Sequence, residues 1–272
     1  MIVSSDFLDI EKIAESGQCF RMTMNADKSY SVIHKGKYLN IKKSDDGFFY
    51  EFDCNEEDYN NIWKPYFDMD FDYANIENNV DADDEFLVSA VRYGSGIRIL
   101  NQDPWEMIVS FIISQRKSIP AIRTSIEKLC RLCGEEIEYN DIIYYSFPSA
   151  EKVAALTEEE ILSCSVGYRA AYIKAAAEAV VSGSIDLDRL CILSDEELKE
   201  ELLTMHGIGI KVASCVMLFG YHRLNSFPVD VWIERAMAEK YPQGFPYEMY
   251  EGHAGIMQQY IFFYMRYLHG RI

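Results

Sequence analysis

The residue types that can do chemistry in this chain converge on one stretch. From Leu203 to Cys215 the sequence reads L-T-M-H-G-I-G-I-K-V-A-S-C, and F-P-V-D-V-W follows from Phe227 to Trp232. Gly207 and Gly209 permit a tight turn between two helices and let a ligand approach the backbone. Unpaired N–H groups at the start of the second helix suit an anion. A phosphodiester held in this way is positioned without being read for its sequence. Lys211, in the first turn of that helix, can attack only after losing its proton, which partial desolvation and the positive end of a helix both favour. Asp230, following Pro228 at the start of another helix, can support a developing cation on a sugar. Singly these are a helix-to-helix turn, a solvent-facing lysine and a helix N-cap. Together they predict an enzyme that holds a DNA phosphate with backbone and attacks a sugar carbon with an amine.

Periodicity outlines the elements that must position these groups. Residues 196–204 and 210–219 flank the glycines as helices. Asp103 as N-cap and Pro104 in the first turn open a helix whose Trp105, Ile108, Val109, Ile112 and Ile113 share a face. Thr157 with Glu160, and Ser194 with Glu197, form capping boxes. An Ala-rich helix over 169–181 stops at Gly183, and 250–268 predicts a long aromatic C-terminal helix. Earlier in the chain the period changes. Tyr30, Val32 and His34 alternate, 38–42 and 48–52 are further strands, and Gly36-Lys37 and Asp45-Asp46-Gly47 supply turns, an antiparallel meander. A helix follows over 81–93, and Gly94-Ser95-Gly96 reads as a hinge. The predicted class is α+β: an N-terminal antiparallel β-sheet domain, residues 1–97, and a mostly helical domain, residues 98–272, that carries the hairpin.

A net charge of −18 opposes indiscriminate binding to nucleic acid. Residues 55–85, however, hold eleven acids against one base, Lys64, so a basic groove can exist elsewhere. No apolar run approaches the roughly 20 residues of a membrane helix. The N-terminus lacks a signal peptide's basic-then-apolar layout. Seven cysteines, an odd number, fit reduced thiols. A cytoplasmic, nucleoid-associated monomer with no membrane partner is therefore expected. Cys130-x-x-Cys133 lacks a second ligand pair and reads as helix packing, and the five histidines show no metal-ligand spacing, so no metal is expected.

The hairpin, Lys211 and Pro228-Val229-Asp230 resemble the helix-hairpin-helix DNA glycosylases, specifically the 8-oxoguanine DNA glycosylase branch. The resemblance covers nearly the whole chain. Ser16-Gly17-Gln18-Cys19-Phe20-Arg21 is similar to that branch's N-terminal signature, and Gln102-Asp103-Pro104 with Ser110-Phe111-Ile112 to the start of its helical domain. Gly167-Tyr168-Arg169-Ala170 resembles its wedge region, and Lys211-Val212-Ala213-Ser214-Cys215 its catalytic helix. The resemblance implies a bifunctional glycosylase and lyase of base excision repair, acting on double-stranded DNA containing 8-oxoguanine, with no cofactor. The damaged nucleotide leaves the stack, Lys211 attacks C1′ and displaces the base, and the Schiff base permits β-elimination while Asp230 stabilises the cationic sugar.

It also implies a base pocket. Gly17 would offer its carbonyl to N7–H, a hydrogen present on 8-oxoguanine and absent from guanine. Phe262 and Cys215 would sandwich the ring, with Phe20 nearby, and Gln258 would meet the Watson–Crick edge. Contacts to DNA would come from His206, Gly207, Gly209, Arg116, Lys117 and Trp232, from Tyr168 as a wedge, and from Arg169 toward the orphan base. The chain departs from the family's pattern in places. Arg116 stands where asparagine is usual and Ala121 where arginine is, both in the set that reads the opposite cytosine, so a weaker preference for cytosine is expected. Trp232 and Met265 replace a histidine and an aspartate, which predicts a repacked apolar contact. His206 stands where proline is common. Two other readings stay open. A monofunctional alkylpurine glycosylase of the same fold generally lacks the hairpin lysine. A non-catalytic helix-hairpin-helix DNA-binding protein would not need Lys211 and Asp230 together.

Overall fold

Alternating burial builds the N-terminal sheet. In the computed structural model, which describes residues 1–270, β1 (Ile2–Ser4), β2 (Met22–Met24), β3 (Tyr30–His34), β4 (Lys37–Lys43) and β5 (Phe49–Phe52) form an antiparallel sheet in the order β1-β5-β4-β3-β2. Val32, Leu39, Ile41, Tyr50 and Phe52 are buried and share a core with Ile10 and Ile13 of α1 (Ile10–Glu15), Trp63 and Phe67. The β3–β4 turn falls at Lys35-Gly36, one residue before the expected place, because both residues take positive φ (47° and 72°) and His34 pairs with Lys37. That geometry matches the twist of the flanking strands. The edge strands β1 and β2 were not expected: at three residues each they are too short for alternation to show.

The larger layer is helical: α2 (Tyr73–Asn78), α3 (Glu85–Gly94), α4 (Pro104–Ser114), α5 (Ile119–Cys133), α6 (Ala150–Ala155), α7 (Arg169–Val181), α8 (Asp195–Thr204), α9 (Ile210–Phe219), α10 (Val231–Lys240) and α11 (Ala254–Leu268). Helices α4 and α9 are buried almost all round, as central helices are, and they pack on each other. Both expected capping boxes are present at Thr157 and Ser194, and Asp103 caps α4. Helix α11 starts later than 250, after a 3-10 turn over Tyr247–Tyr250 and Gly252 at φ 84°.

The two cores do not part at residue 97. Tyr73, Leu87, Ala90 and Val91 belong to the helical core, and α3 packs on α11. Gly94-Ser95-Gly96 is a packed junction where a hinge was expected. A Cβ at Gly94 would lie 2.6 Å from the Tyr260 ring, the Gly96 carbonyl accepts from Asp9 N–H at 2.8 Å, and Lys12 Nζ donates to the Ser95 carbonyl at 2.8 Å. A second hairpin, β6 (Glu136–Tyr139) with β7 (Ile142–Tyr145), sits between α5 and α6 and was missed. Its turn residues Asn140 and Asp141 both take positive φ, at 50° and 60°. Tyr139 and Tyr144 pack tilted against the ring of Tyr38 of β4, so the hairpin ties the helical layer to the sheet.

Candidate active site

Helix packing dictates the hairpin. Gly207 has φ 88°, and a Cβ there would stand 2.4 Å from the Tyr172 ring, so only glycine fits. Gly209 caps α9 with open space around its α-carbon, which leaves its backbone approachable. The first-turn N–H groups of α9 have no carbonyl partner within the helix, as at any helix start. Lys211 stands in that turn with Nζ 5.1 Å from the centre of the Phe111 ring.

Burial pushes the carboxyl of Asp230 up; the N–H of Ile233, the Lys211 ammonium and the N–H of Trp232 pull it back. Its Oδ1 accepts from both N–H groups at 3.0 Å, so the N-cap of α10 also aims a carboxylate into the site. Cys215, one turn beyond Lys211 on α9, is buried, which pushes its thiol up against the opposing pull of Lys211.

These groups line a cleft of about 790 Å³, within the usual range for ligand sites. Lys211, Cys215 and Asp230 share it with Gly17, Gln258 and Phe262, and Phe20 lines it too, its ring in a T-shaped contact with Phe111. Gly17 has φ 78° and rests on the Phe262 ring. Its neighbours are pinned by buried amides: Gln259 Nε2 donates to the Ser16 carbonyl at 2.6 Å, and Gln18 accepts from Leu100 N–H at 2.8 Å and donates to the Arg98 carbonyl at 2.8 Å. Gln102 Nε2 donates to the Gln18 carbonyl at 2.9 Å. Gln18 and Gln102 were visible as motif members without a role, and Gln259 was missed; glutamine in an apolar surrounding was the available signal. Gln258 Nε2 donates to the Pro228 carbonyl at 3.0 Å, whereas its Oε1 is buried without a partner. A buried acceptor left unmatched costs about 1–3 kcal/mol, so a ligand donor there is favoured.

The expected DNA contacts are placed unevenly. Tyr168 is exposed and meets Tyr172 edge-on at 5.7 Å; His206 is exposed and also meets the Tyr172 ring edge-on, at 4.6 Å. Arg116 lies exposed on the cleft rim with φ 50°. Lys117 turns inward: its Nζ donates to Ser125 Oγ at 2.5 Å and to the Ser165 carbonyl at 2.8 Å. Arg169 is buried and donates to the Val166 and Gln115 carbonyls. Trp232 is half-buried 5.3 Å from the His269 ring, with the Arg235 guanidinium 5.4 Å away, and Met265 is fully buried. Among the described residues no group of His, Cys, Asp and Glu is arranged to hold a metal. Burial pushes the Cys130 and Cys133 thiols up to about 12 and about 11, the mark of packed side chains on α5.

Known proteins share this fold and sequence. Residues 1–108 match the 8-oxoguanine DNA glycosylase N-terminal domain, and residues 109–242 match the HhH-GPD superfamily of base excision DNA repair proteins. The fold superposes with a TM-score of 0.91 on the 8-oxoguanine glycosylase/lyase of Clostridium acetobutylicum, solved with double-stranded DNA containing cytosine opposite 8-oxoG, at 34% identity over 98% of this chain and 95% of that one. MBOgg1, solved with a low-affinity DNA ligand, is 37% identical, with a TM-score of 0.91 over 98% of this chain and 96% of that one. A probable N-glycosylase/DNA lyase of Methanothermobacter thermautotrophicus is 30% identical over 65% of this chain, and the match spans 62% of that relative's length. On these matches the chain belongs to the 8-oxoguanine DNA glycosylase family, within the helix-hairpin-helix superfamily of base excision repair proteins.

Proposed function

We propose that this protein is a bifunctional 8-oxoguanine DNA glycosylase and AP lyase. The observation that carries the reading is that Lys211 and Asp230 line the same cleft as Gly17, Phe262 and the unpartnered Oε1 of Gln258. The hairpin N–H groups anchor a phosphate of the duplex and the target nucleotide swings into the cleft. Phe262 and Cys215 hold the ring between them. Gln258 Oε1, an acceptor, suits the N1–H and amino group of an oxidised guanine. The Gly17 carbonyl accepts from N7–H, which normal guanine lacks. The neutral amine of Lys211 then forms a bond to C1′ as the bond from C1′ to the base breaks; the base departs with the electron pair and takes up a proton. Asp230 offsets the positive charge on the sugar. The bond from C1′ to the ring oxygen O4′ then breaks, O4′ leaving with the electron pair and taking up a proton, which gives the imine; loss of a C2′ proton then breaks the bond from C3′ to oxygen and expels the 3′ phosphate. A nucleoid-associated location follows from a duplex substrate, and no described helix is long and apolar enough to cross a membrane.

The rival readings lack a use for Lys211: neither a monofunctional alkylpurine glycosylase nor a DNA-binding module needs an amine there. Arg116 and Ala121 support a relaxed choice of opposite base. Arg169, the remaining expected reader of that base, is engaged with backbone carbonyls. The test is to add borohydride to protein and duplexes carrying 8-oxoguanine opposite each of the four bases. A covalent protein–DNA adduct with the wild type, absent with Lys211→Gln, supports Schiff-base chemistry. Base release without an adduct would make the enzyme monofunctional, and neither would point to a binding module or a different lesion. An adduct confined to cytosine would sink the relaxed preference.

A further inference from the structure

Three separate segments would meet DNA in an enzyme of the kind proposed above: the wedge that the family resemblance implies at Tyr168, the loop between α4 and α5, and the hairpin at 206–209. One residue, Gln115 in that loop, bonds to both of the other two neighbourhoods. The Gln115 carbonyl accepts from Arg169 Nη2, and Gln115 Nε2 donates to the Gly207 carbonyl at 3.0 Å and, more weakly, to the Ile112 carbonyl at 3.3 Å. Arg169 adjoins the wedge, lies over the Tyr168 ring at 4.5 Å, and also donates to the Val166 carbonyl at 3.0 Å. Its Nε is buried without a partner, so the guanidinium is incompletely satisfied where it rests.

The wedge loop is otherwise held from the α5 side. Ser165 and Gly167 take positive φ at 64° and 60°; Lys117 Nζ reaches the Ser165 carbonyl and Lys128 Nζ reaches Ser165 Oγ, each at 2.8 Å. Among the described residues none of Lys117, Lys128 and Arg169 has a carboxylate within ion-pair distance, although the chain carries 44 acidic residues. The wedge is thus held to its surroundings by hydrogen bonds to carbonyls and a hydroxyl. On the apolar side, Tyr172 meets the Tyr168 ring and fills the space beside Gly207.

We propose that Gln115 is a positioning residue that couples the wedge to the phosphate anchor. Entry of Tyr168 into the base stack draws Arg169 with it. The Gln115 carbonyl follows, and its amide passes the displacement to Gly207, four residues before Lys211. The hairpin is thereby set for attack only when the stack has been opened. This inference rests on the anchor role proposed above and on the wedge role that the family resemblance implies for Tyr168.

The experiment is a double-mutant cycle of Gln115→Leu and Tyr168→Ala, read as the single-turnover rate of base release from duplex 8-oxoguanine, with unfolding temperatures recorded alongside. Each single change is expected to slow release about tenfold. The double variant should stay within about twofold of Tyr168→Ala, because coupled residues are not additive. Equal slowing by Gln115→Leu in both backgrounds, or no slowing by it, overturns the coupling and leaves the wedge standing. An unchanged rate for Tyr168→Ala overturns the wedge role and the coupling with it. If Gln115→Leu does not fold, Gln115→Glu keeps the size and removes the amide donor to Gly207, and its effect is judged by the same outcomes.

Discussion

Gly17 stands so close to Phe262 that one methyl group on its α-carbon would lie 3.1 Å from the ring Cε1. The two residues belong to opposite ends of the chain, yet the contact fixes both the proposed carbonyl acceptor and the stacking ring. With φ at 78°, Gly17 also holds a backbone conformation that costs an L residue about 1–2 kcal/mol. Gly17→Ala is therefore expected to displace Phe262 or turn the carbonyl. Release of 8-oxoguanine should fall at least about tenfold, a loss of the size of one hydrogen bond. Borohydride trapping on a preformed abasic site, which presents no base to hold, should stay within about twofold. Equal loss on both substrates would count against a base-recognition role for Gly17.

Asp230 combines two jobs that substitutions can separate. Its Oδ1 caps α10, and its charge faces Lys211. Asn keeps the cap, because its side-chain oxygen accepts the same N–H bonds. Asp230→Asn should leave the unfolding temperature within a few degrees while base release falls about 10²-fold or more. Asp230→Ala should lose comparable activity and also about 1 kcal/mol of stability. Thermal unfolding and single-turnover rates on the two variants check this, and an active Asp230→Asn would remove the charge from the mechanism.

Gly207→Ala places a methyl 2.4 Å from the Tyr172 ring at φ 88°. Both the clash and the backbone conformation oppose it, so stability should fall by about 2–4 kcal/mol, with weaker binding to undamaged duplex as well as to lesion DNA. The added change Tyr172→Ala should relieve the clash and recover part of the stability but not the binding. Chemical denaturation and duplex titrations read the two effects separately.

Glu106, in the first turn of α4, is buried, and that burial pushes its carboxyl up to about 7 against the opposing pull of Arg21. A raised value means that the fold favours the neutral acid. Its contribution is complete below the ordinary carboxylate range and is lost as pH rises through about 7. Stability should therefore decline between about pH 5 and pH 8 by an amount on the order of 2–3 kcal/mol from this group. Glu106→Gln should flatten the decline; an unchanged pH profile would show that the carboxyl titrates normally.

Much of the fold is written locally. The capping pairs at Thr157 and Ser194, the Asp103-Pro104 start, the alternation in β3 and β4 and the glycine pair before Lys211 each act within a few residues, so the sequence alone determined these elements and the chemistry that Lys211 and Asp230 could do. Strands β1 and β2 escaped because three residues carry no period, and the hinge expected at residues 94–96 proved to be a packed junction because Tyr260 and Asp9 close upon it. Tertiary structure alone decided that Gln259 would pin the segment beside Gly17, that Gln258 would be left with an unmatched oxygen, that Arg169 would turn inward, and that Gln115 would span the wedge and the hairpin. Those facts depend on hydrogen bonds and close approaches between residues far apart in the chain. Spacing along a sequence specifies which face of a helix a residue occupies, but not which distant carbonyl its side chain will meet.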